Sequence, residues 1–591
     1  MNPPFFTPLR RRLRYLLPLF RGQGRTLTWG FLLLAATNLT AATIPYGMKL
    51  ATEALMTPTH DSLILYILAL IGLALTNAFF RIHSRMTIFG MGRDVEYALR
   101  KQYHAKLLSL DAPFFDREKT GDLASRGAAD VSAVRMFVGP GFLQSSNVIM
   151  AYTTTLPVML ALDPWLTVFA LAPIPLVLGS TRLLTRRMYR LSRIVADHFG
   201  QMSGFIQESV AGMAAIRAHA RENDWNSRFR QETEALCLAS LKHSQLQSLF
   251  SPMVLFAGSL GGWLILAYGG YEVAAGRLTM GDFVAFSGYL ALLIWPTVGF
   301  GWILTVMQRG LAALDRISGV LDVQPFLLPE LINAPAKTNR WNGHISIRDL
   351  HFAYQPTVPV LRGVSLEIRA GRLTGLAGRI GSGKSALLQV LARLYPTPAG
   401  MIFMDQQDLT TIPEAELRRN LTMAPQESFL FSAPLLQNIL LDRPDATQET
   451  AQKALALAAL DEEVKGFPQA LETLIGERGI TLSGGQRQRA ALARALAANP
   501  VIVLLDDVFS HVDARTEELI LNNIRFLSDS HTVVMVCHRV AALRQADWIY
   551  LLEAGQIVAD GSHETLLSTS QLYRELHDTM TRTEALEALA Q

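Results

Sequence analysis

Cysteine is nearly absent from this chain. Its 591 residues include two, Cys237 and Cys537. They stand far apart, which excludes a disulfide framework and a cysteine-based metal site and fits a reducing compartment. Charge is thin as well: Asp, Glu, Lys and Arg make up 18% of the chain, against about a quarter in ordinary soluble domains. A net charge of +4 over this length gives no basis for expecting a nucleic-acid partner. The sequence shows no low-complexity run, no internal repeat and no cluster of spaced carboxylates suited to a proton path. Apolar residues are what it has in excess. Half the chain is hydrophobic and the mean hydropathy is positive, which a wholly soluble protein rarely shows.

The apolar residues are concentrated in the first half. Residues 4–20 alternate Phe5, Phe6, Leu9, Leu13, Leu16, Leu17 and Phe20 with Arg10, Arg11, Arg12 and Arg14. Such a basic amphipathic segment suits the inner surface of a membrane. No small-residue cleavage site follows it, so it does not read as a cleaved signal. Six apolar stretches come next, at about 26–48, 62–85, 136–160, 164–184, 250–274 and 280–306. Each is long enough to cross ~30 Å of hydrocarbon as a helix. Between Arg10 and Arg25 there are six arginines and no acid, which puts the N-terminus in the cytoplasm. The loops after spans one, three and five are short and poor in positive charge, so they face outward. The long polar segments 86–135 and 185–249 then project into the cytoplasm. Thr37, Asn38, Thr40 and Pro45 lie within the first span, where they serve either helix packing or function. Trp295, Pro296, Trp302 and Gln308 could line a cavity around the last span.

After Arg309 the pattern changes. A soluble amphipathic helix is followed by a linker marked by Pro325, Pro329 and Pro335. From Trp341 onward strands, turns and helices alternate, as in an α/β nucleotide domain. Gly378-Arg379-Ile380-Gly381-Ser382-Gly383-Lys384-Ser385 matches the phosphate-loop pattern G-x-x-x-x-G-K-[ST] at every fixed position. Its glycines let backbone N–H groups close around phosphate, Lys384 supplies a cation, and Ser385 a hydroxyl for Mg²⁺. The loop sits between a strand and a helix, as this motif requires. Tyr354 could stack on a purine or be a core aromatic. Gln426 follows a strand-like run and could be a solvated loop residue. Leu482-Ser483-Gly484-Gly485-Gln486 opens a helix and reads as a second anion site or as a capped helix start. The apolar strand Val501–Leu505 ends in Asp506, suited to Mg²⁺, with Asp507 next. His538 follows another strand.

Taken in this order, these motifs resemble an ABC exporter half-transporter, and the resemblance spans essentially the whole chain. It implies a polytopic α-helical membrane domain of six transmembrane helices joined to an α/β P-loop nucleotide-binding domain. The expected boundaries are an N-terminal elbow at 1–25, a transmembrane domain at 26–324, a linker at 325–340, an ATP-binding cassette at 341–580 and a tail at 581–591. It also implies an integral protein of a bacterial inner membrane, with its nucleotide domain in the cytoplasm and ATP and Mg²⁺ as cofactors. Two cassettes would close head to tail around two ATP molecules. Tyr354 would then stack on adenine, while Gly378, Gly381, Ser382, Gly383 and Lys384 bind phosphates. Ser385, Gln426 and Asp506 would serve Mg²⁺, and His538 would touch the γ-phosphate. Ser483, Gly485 and Gln486 would face the partner's ATP. Thr473–Gly479 resembles the loop that meets the partner's cytoplasmic helices. Phe115–Leu123 and Ala211–His219 resemble coupling helices.

The chain departs from the family at one telling place. Where the family usually has Glu to polarise the attacking water, this chain has Asp507. His511 stands where a small residue is usual. Losing one methylene withdraws the carboxylate by roughly an ångström, a displacement that can cost about 10²-fold in rate. Asp at this position resembles the degenerate-site subunit of heterodimeric multidrug or lipid exporters, whose partner carries the Glu. Three function classes follow. The first is an exporter subunit for small amphipathic compounds or membrane lipid. The second is an importer of exporter-like architecture taking up a metal chelate. The third is a regulatory membrane ATPase.

Overall fold

The computed structural model describes residues 14–15, 17–18, 20, 22–56, 63–325, 341–355, 357–443, 446–476 and 482–590. The elbow expected at 1–25 and the linker expected at 325–340 fall largely outside them. The chain divides into two compact units. One comprises the described residues up to Leu108 together with Thr120–Val323. The other comprises Ser109–Lys119 and the described residues from Gln324 onward.

The first unit is built of helices. Among the described residues, four are long and apolar enough to cross a membrane: Gly24–Met56, Leu63–Leu108, Thr120–Leu162 and Met280–Leu321. They carry the first, second, third and sixth expected spans. The fourth is interrupted at Ala172, where Pro173 starts a new helix, because proline lacks the N–H that would continue the ladder. The fifth passes through a π-helical turn at Ile265–Gly269. Leu63–Leu108, with 46 residues, is about 70 Å long at the rise of an α-helix. That is twice what a bilayer core needs, so its apolar half can span while its polar half extends beyond.

Polar residues inside these helices bond to one another. Thr37 and Thr40 hydroxyls donate to the carbonyls four residues back, at 2.8 Å each. Asn77 Nδ2 donates across to Thr37 O at 2.7 Å and to Thr40 Oγ1 at 2.9 Å. Asn38 Nδ2 reaches Asn147 Oδ1 at 3.1 Å. In an apolar surrounding such bonds hold helices together, and this accounts for Thr37, Asn38 and Thr40. Trp295 and Trp302 stand exposed on the last helix. Past the apolar segments, Arg316 clasps Asp130 through two bonds of 2.8 and 2.6 Å.

The described residues of the second unit form two sheets. The strands are β1 Ile345–Phe352, β2 Leu361–Ile368, β3 Leu373–Gly378, β4 Ile402–Met404, β5 Gln407–Asp408, β6 Leu421–Ala424, β7 Ile502–Asp506, β8 Thr532–Val536, β9 Trp548–Glu553 and β10 Gln556–Gly561. The smaller sheet runs β2-β1-β4-β5 and is antiparallel. The larger runs β10-β9-β3-β8-β7-β6. Its strands β9, β3, β8, β7 and β6 run parallel to one another, and β10 pairs antiparallel with β9. Strands β3, β7 and β8 are buried at every position, as a parallel sheet covered on both faces requires. Parallel strands bring their carboxyl ends to one edge, where ligands of such sheets bind. Gly378, Gln426, Asp506, Asp507 and His538 all lie at those ends. The helix Gln571–Ala590 runs unbroken through residue 580, across the boundary expected for a tail.

Candidate functional site

The phosphate loop leaves β3 at Gly378 and enters the helix Lys384–Leu391. Gly378 and Gly383 take φ of 152° and 106°, a region that side chains disfavour. A Cβ on Gly378 would lie 2.2 Å from Leu552 O, and one on Gly383 would lie 2.9 Å from Leu361 Cδ2. Glycine is therefore required at both by space as well as by torsion. Lys384 is buried and its Nζ donates to the loop's own carbonyls, Gly378 O at 2.8 Å and Arg379 O at 3.0 Å. Burial pushes the Lys384 ammonium below its ordinary pKa. A charge held against that cost is poised to gain from an anion.

Two further observations fit a phosphate group. No side chain caps the helix Lys384–Leu391, so its first amides are open to a ligand. The Ser382 hydroxyl is buried with no hydrogen-bond partner. Beside the loop, Ser385 Oγ donates to Asp506 Oδ1 at 2.9 Å. Burial, followed by the neighbouring Asp507 charge, raises the Asp506 pKa. Asp506 and Ser385 thus form a hard-oxygen pair suited to a divalent cation.

Asp507 is buried in a left-handed backbone conformation, φ 48°. Gln426 Nε2 donates to Asp507 Oδ2 at 3.2 Å. His538 is half-buried, and its pKa is lowered by burial and then by the Lys384 cation. Tyr354 is 42% exposed, enough to offer a ring face. Its OH donates to Gln389 Oε1 at 2.7 Å, and Phe352 and Tyr395 pack edge-on against it.

Ser483, Gly485 and Gln486 form a separate group at the start of the helix Gly484–Leu496. There Ser483 and Gln486 satisfy each other. Ser483 Oγ accepts from Gln486 N at 3.2 Å, and Gln486 Oε1 accepts from Ser483 N at 3.0 Å. A Cβ on Gly485 would lie 2.5 Å from His511 O, so this glycine admits the loop that follows Asp507. Gln488 Nε2 donates to Ser510 Oγ at 2.7 Å, and Gln488 Oε1 accepts from His511 N at 3.1 Å. The two groups are thereby tied within one chain.

Thr473–Gly479 is described only as far as Gly476. Of the coupling-helix stretches, Phe115–Leu123 takes in the end of the helix Ala112–Arg117 and the start of the helix Thr120–Ser125, and Ala211–His219 contains the helix Met213–Ala218. Asp116 of the former accepts a hydrogen bond from Tyr395 OH at 2.7 Å. Sequence reasoning passed over Tyr395, and also Glu575, which pairs with Arg379 of the phosphate loop at 3.3 Å. Neither stands in a local pattern that would single it out.

A parallel sheet with a phosphate loop, a strand-end carboxylate and a fused helical membrane region defines an ATP-driven membrane transport protein. The comparisons with known proteins agree. The model of the ABC transporter transmembrane region matches residues 27–297, and that of the ABC transporter family matches residues 361–510. A probable multidrug resistance ABC transporter ATP-binding/permease protein of Bacillus subtilis, YheI, is 34% identical over 83% of this chain and 84% of its own length. The multidrug resistance-like ATP-binding protein MdlA of Escherichia coli is 30% identical over 88% of each chain. An ATP-dependent lipid A-core flippase of Chromobacterium violaceum is 30% identical over 96% of each. The solved structure of a bacterial Atm1-family ABC exporter with ATP bound superposes with a TM-score of 0.78. It covers 94% of this chain and 98% of that one, at 24% identity, and so speaks for the fold. This chain belongs to the ABC transporters. It is an integral membrane ATPase that couples ATP hydrolysis to transport.

Proposed function

We propose that this chain is one half of a heterodimeric exporter of amphipathic compounds, drugs or lipids, with a hydrolysis-impaired ATP site on its own phosphate loop. The observation that carries the asymmetry is Asp507: a short carboxylate where a longer one is usual, held by Gln426. The substrate class is supported by the relatives named for multidrug resistance and for lipid A-core. In this reading residues 26–324 form the membrane domain with six spans. Residues 341–580, with the helix that runs beyond them, form the cassette, and the cassette faces the cytoplasm of a bacterial inner membrane.

The residue roles are those the family resemblance implies, and the geometry is compatible with them. Tyr354 offers its exposed face to adenine. Gly378, Gly381, Ser382 and Gly383 shape the loop, and Lys384 turns from the loop carbonyls to the β/γ-phosphates. Mg²⁺, held through Ser385, Gln426 and Asp506, would neutralise charge on those phosphates. Asp507 orients water poorly because it is short, and His538 meets the γ-phosphate. Ser483, Gly485 and Gln486 complete the partner's site.

Purified chain, alone and with its presumed partner, tests the pairing by ATPase rate. Transport in inverted vesicles tests the direction. ATP-dependent accumulation of a fluorescent amphiphile inside such vesicles is expected. Movement of a metal chelate the other way would mark an importer, and no flux with intact ATPase would mark a regulatory protein.

A further inference from the structure

The helix Gln571–Ala590 touches both loops that flank the nucleotide site. Its Tyr573 is buried in the same core as Cys537, the residue before His538. The Tyr573 hydroxyl meets His563 Nδ1 at 2.8 Å. The helix is thereby anchored behind the site, and two of its carboxylates reach the loops. Glu575 pairs with Arg379 at 3.3 Å, both side chains being exposed, so this tie is weak. Glu584 Oε1 accepts from Val540 N at 2.8 Å.

The second contact matters more. Val540 opens the helix Val540–Gln545, and its N-cap residue, Arg539, supplies no side-chain cap. The first amides of a helix have no partner within it. A carboxylate there is held by charge as well as by the hydrogen bond. Glu584, 44 residues further along, provides the cap that the local sequence lacks. Arg539 itself pairs with the buried carboxylate of Glu517. His538 thus leaves β8 into a turn whose next two residues are each held by a glutamate.

We propose that Glu584 is a positioning residue for His538, so that the C-terminal helix sets how long ATP stays at this chain's phosphate loop. The proposal rests on reading His538 as a γ-phosphate contact. A loop freed at Val540 would let the imidazole drift, and the terminal phosphate would lose a fixed donor. The exposed Glu575–Arg379 pair adds a lesser tie from the same helix.

The test uses the full chain in lipid nanodiscs, loaded with a ribose-labelled fluorescent ATP and Mg²⁺ and chased with unlabelled ATP. Glu584→Ala should speed release about tenfold and accelerate hydrogen exchange at the Val540 amide, with the melting temperature nearly unchanged. Glu584→Gln keeps a neutral acceptor and should recover most of the retention. Glu575→Ala should change release by less than about twofold. Release from Glu584→Ala within about twofold of the parent, despite faster Val540 exchange, would overturn the proposal. So would equal losses of melting temperature in the Ala and Gln variants without separation of their release rates. If His538→Ala releases the label at the parent's rate, or the parent fails to bind it, the reading of His538 falls and the proposal falls with it. Fast release from His538→Ala with unchanged release from Glu584→Ala rejects the proposal alone.

Discussion

The two candidate phosphate-binding regions of this chain are built in opposite ways. The phosphate loop is tightly turned and short of partners: it has three left-handed glycines, a buried lysine turned on its own carbonyls and an orphaned Ser382 hydroxyl. The start of the helix Gly484–Leu496 is self-satisfied: Ser483 and Gln486 close a capping box, and Gln486 Nε2 also donates to Glu463 at 2.7 Å. An unmet need marks a site that waits for its own ligand. A satisfied helix start can stand without a ligand and needs only to present one edge to a ligand held elsewhere. The difference suits a protein whose two regions act on two different ATP molecules.

The comparison breaks first at Lys384. Lys384→Ala should weaken ATP binding at this chain's loop by roughly a hundredfold or more, since a buried cation facing phosphate is lost. Undiminished labelling by a photoreactive ATP analogue would refute the assignment. Next comes turnover of the complex with a partner. Ser483→Ala should lower it about 10²-fold, the usual loss for one donor aimed at developing charge. Asp507→Ala should cost only a few-fold by comparison. Ser483→Ala also removes a cap, worth about 1 kcal/mol, so melting curves must accompany the rates. Equal losses in the two variants would erase the distinction between the regions.

A smaller effect is expected at their junction. Gly485→Ala would set a Cβ 2.5 Å from His511 O. The loop after Asp507 would have to move, at a cost of about 1–3 kcal/mol. Unchanged thermal stability would contradict the close packing. The smallest effect concerns His538, whose pKa lies below its ordinary value. The folded state favours the neutral ring, so its contribution is complete above about pH 6.5 and is lost as pH falls through the folded value. The stability advantage of the parent over His538→Gln should therefore shrink on acidification. An advantage that is constant or grows would reverse the sign of the shift.

How much of this was legible in the sequence depended on range. The phosphate loop is a contiguous pattern, and β3 and the helix Lys384–Leu391 flank it as the residues suggest. The meeting of Gly378, Asp506 and His538 follows from parallel strands, which the buried apolar runs already imply. The Ser483–Gln486 spacing is itself a capping-box pattern, so both readings of that helix start could be seen. The break in the fourth span at Ala172 and the π-helical turns within the third and fifth were hidden because hydropathy sums over a window and ignores a single turn. The contact between Glu584 and Val540 was hidden for another reason. It joins residues far apart in sequence, and a lone glutamate on an amphipathic helix carries no sign of what it caps.

The account's central claim is asymmetry between the two ATP sites of a heterodimer. Its most direct test is the ATPase rate of this chain alone, set against the rate of its complex with a half-transporter carrying Glu at the position of Asp507. The account predicts slow turnover alone and a rate about 10²-fold higher in the complex, with Ser483→Ala in this chain abolishing the gain. Full, substrate-stimulated turnover by a dimer of this chain alone would contradict it and make Asp507 an adequate catalytic residue.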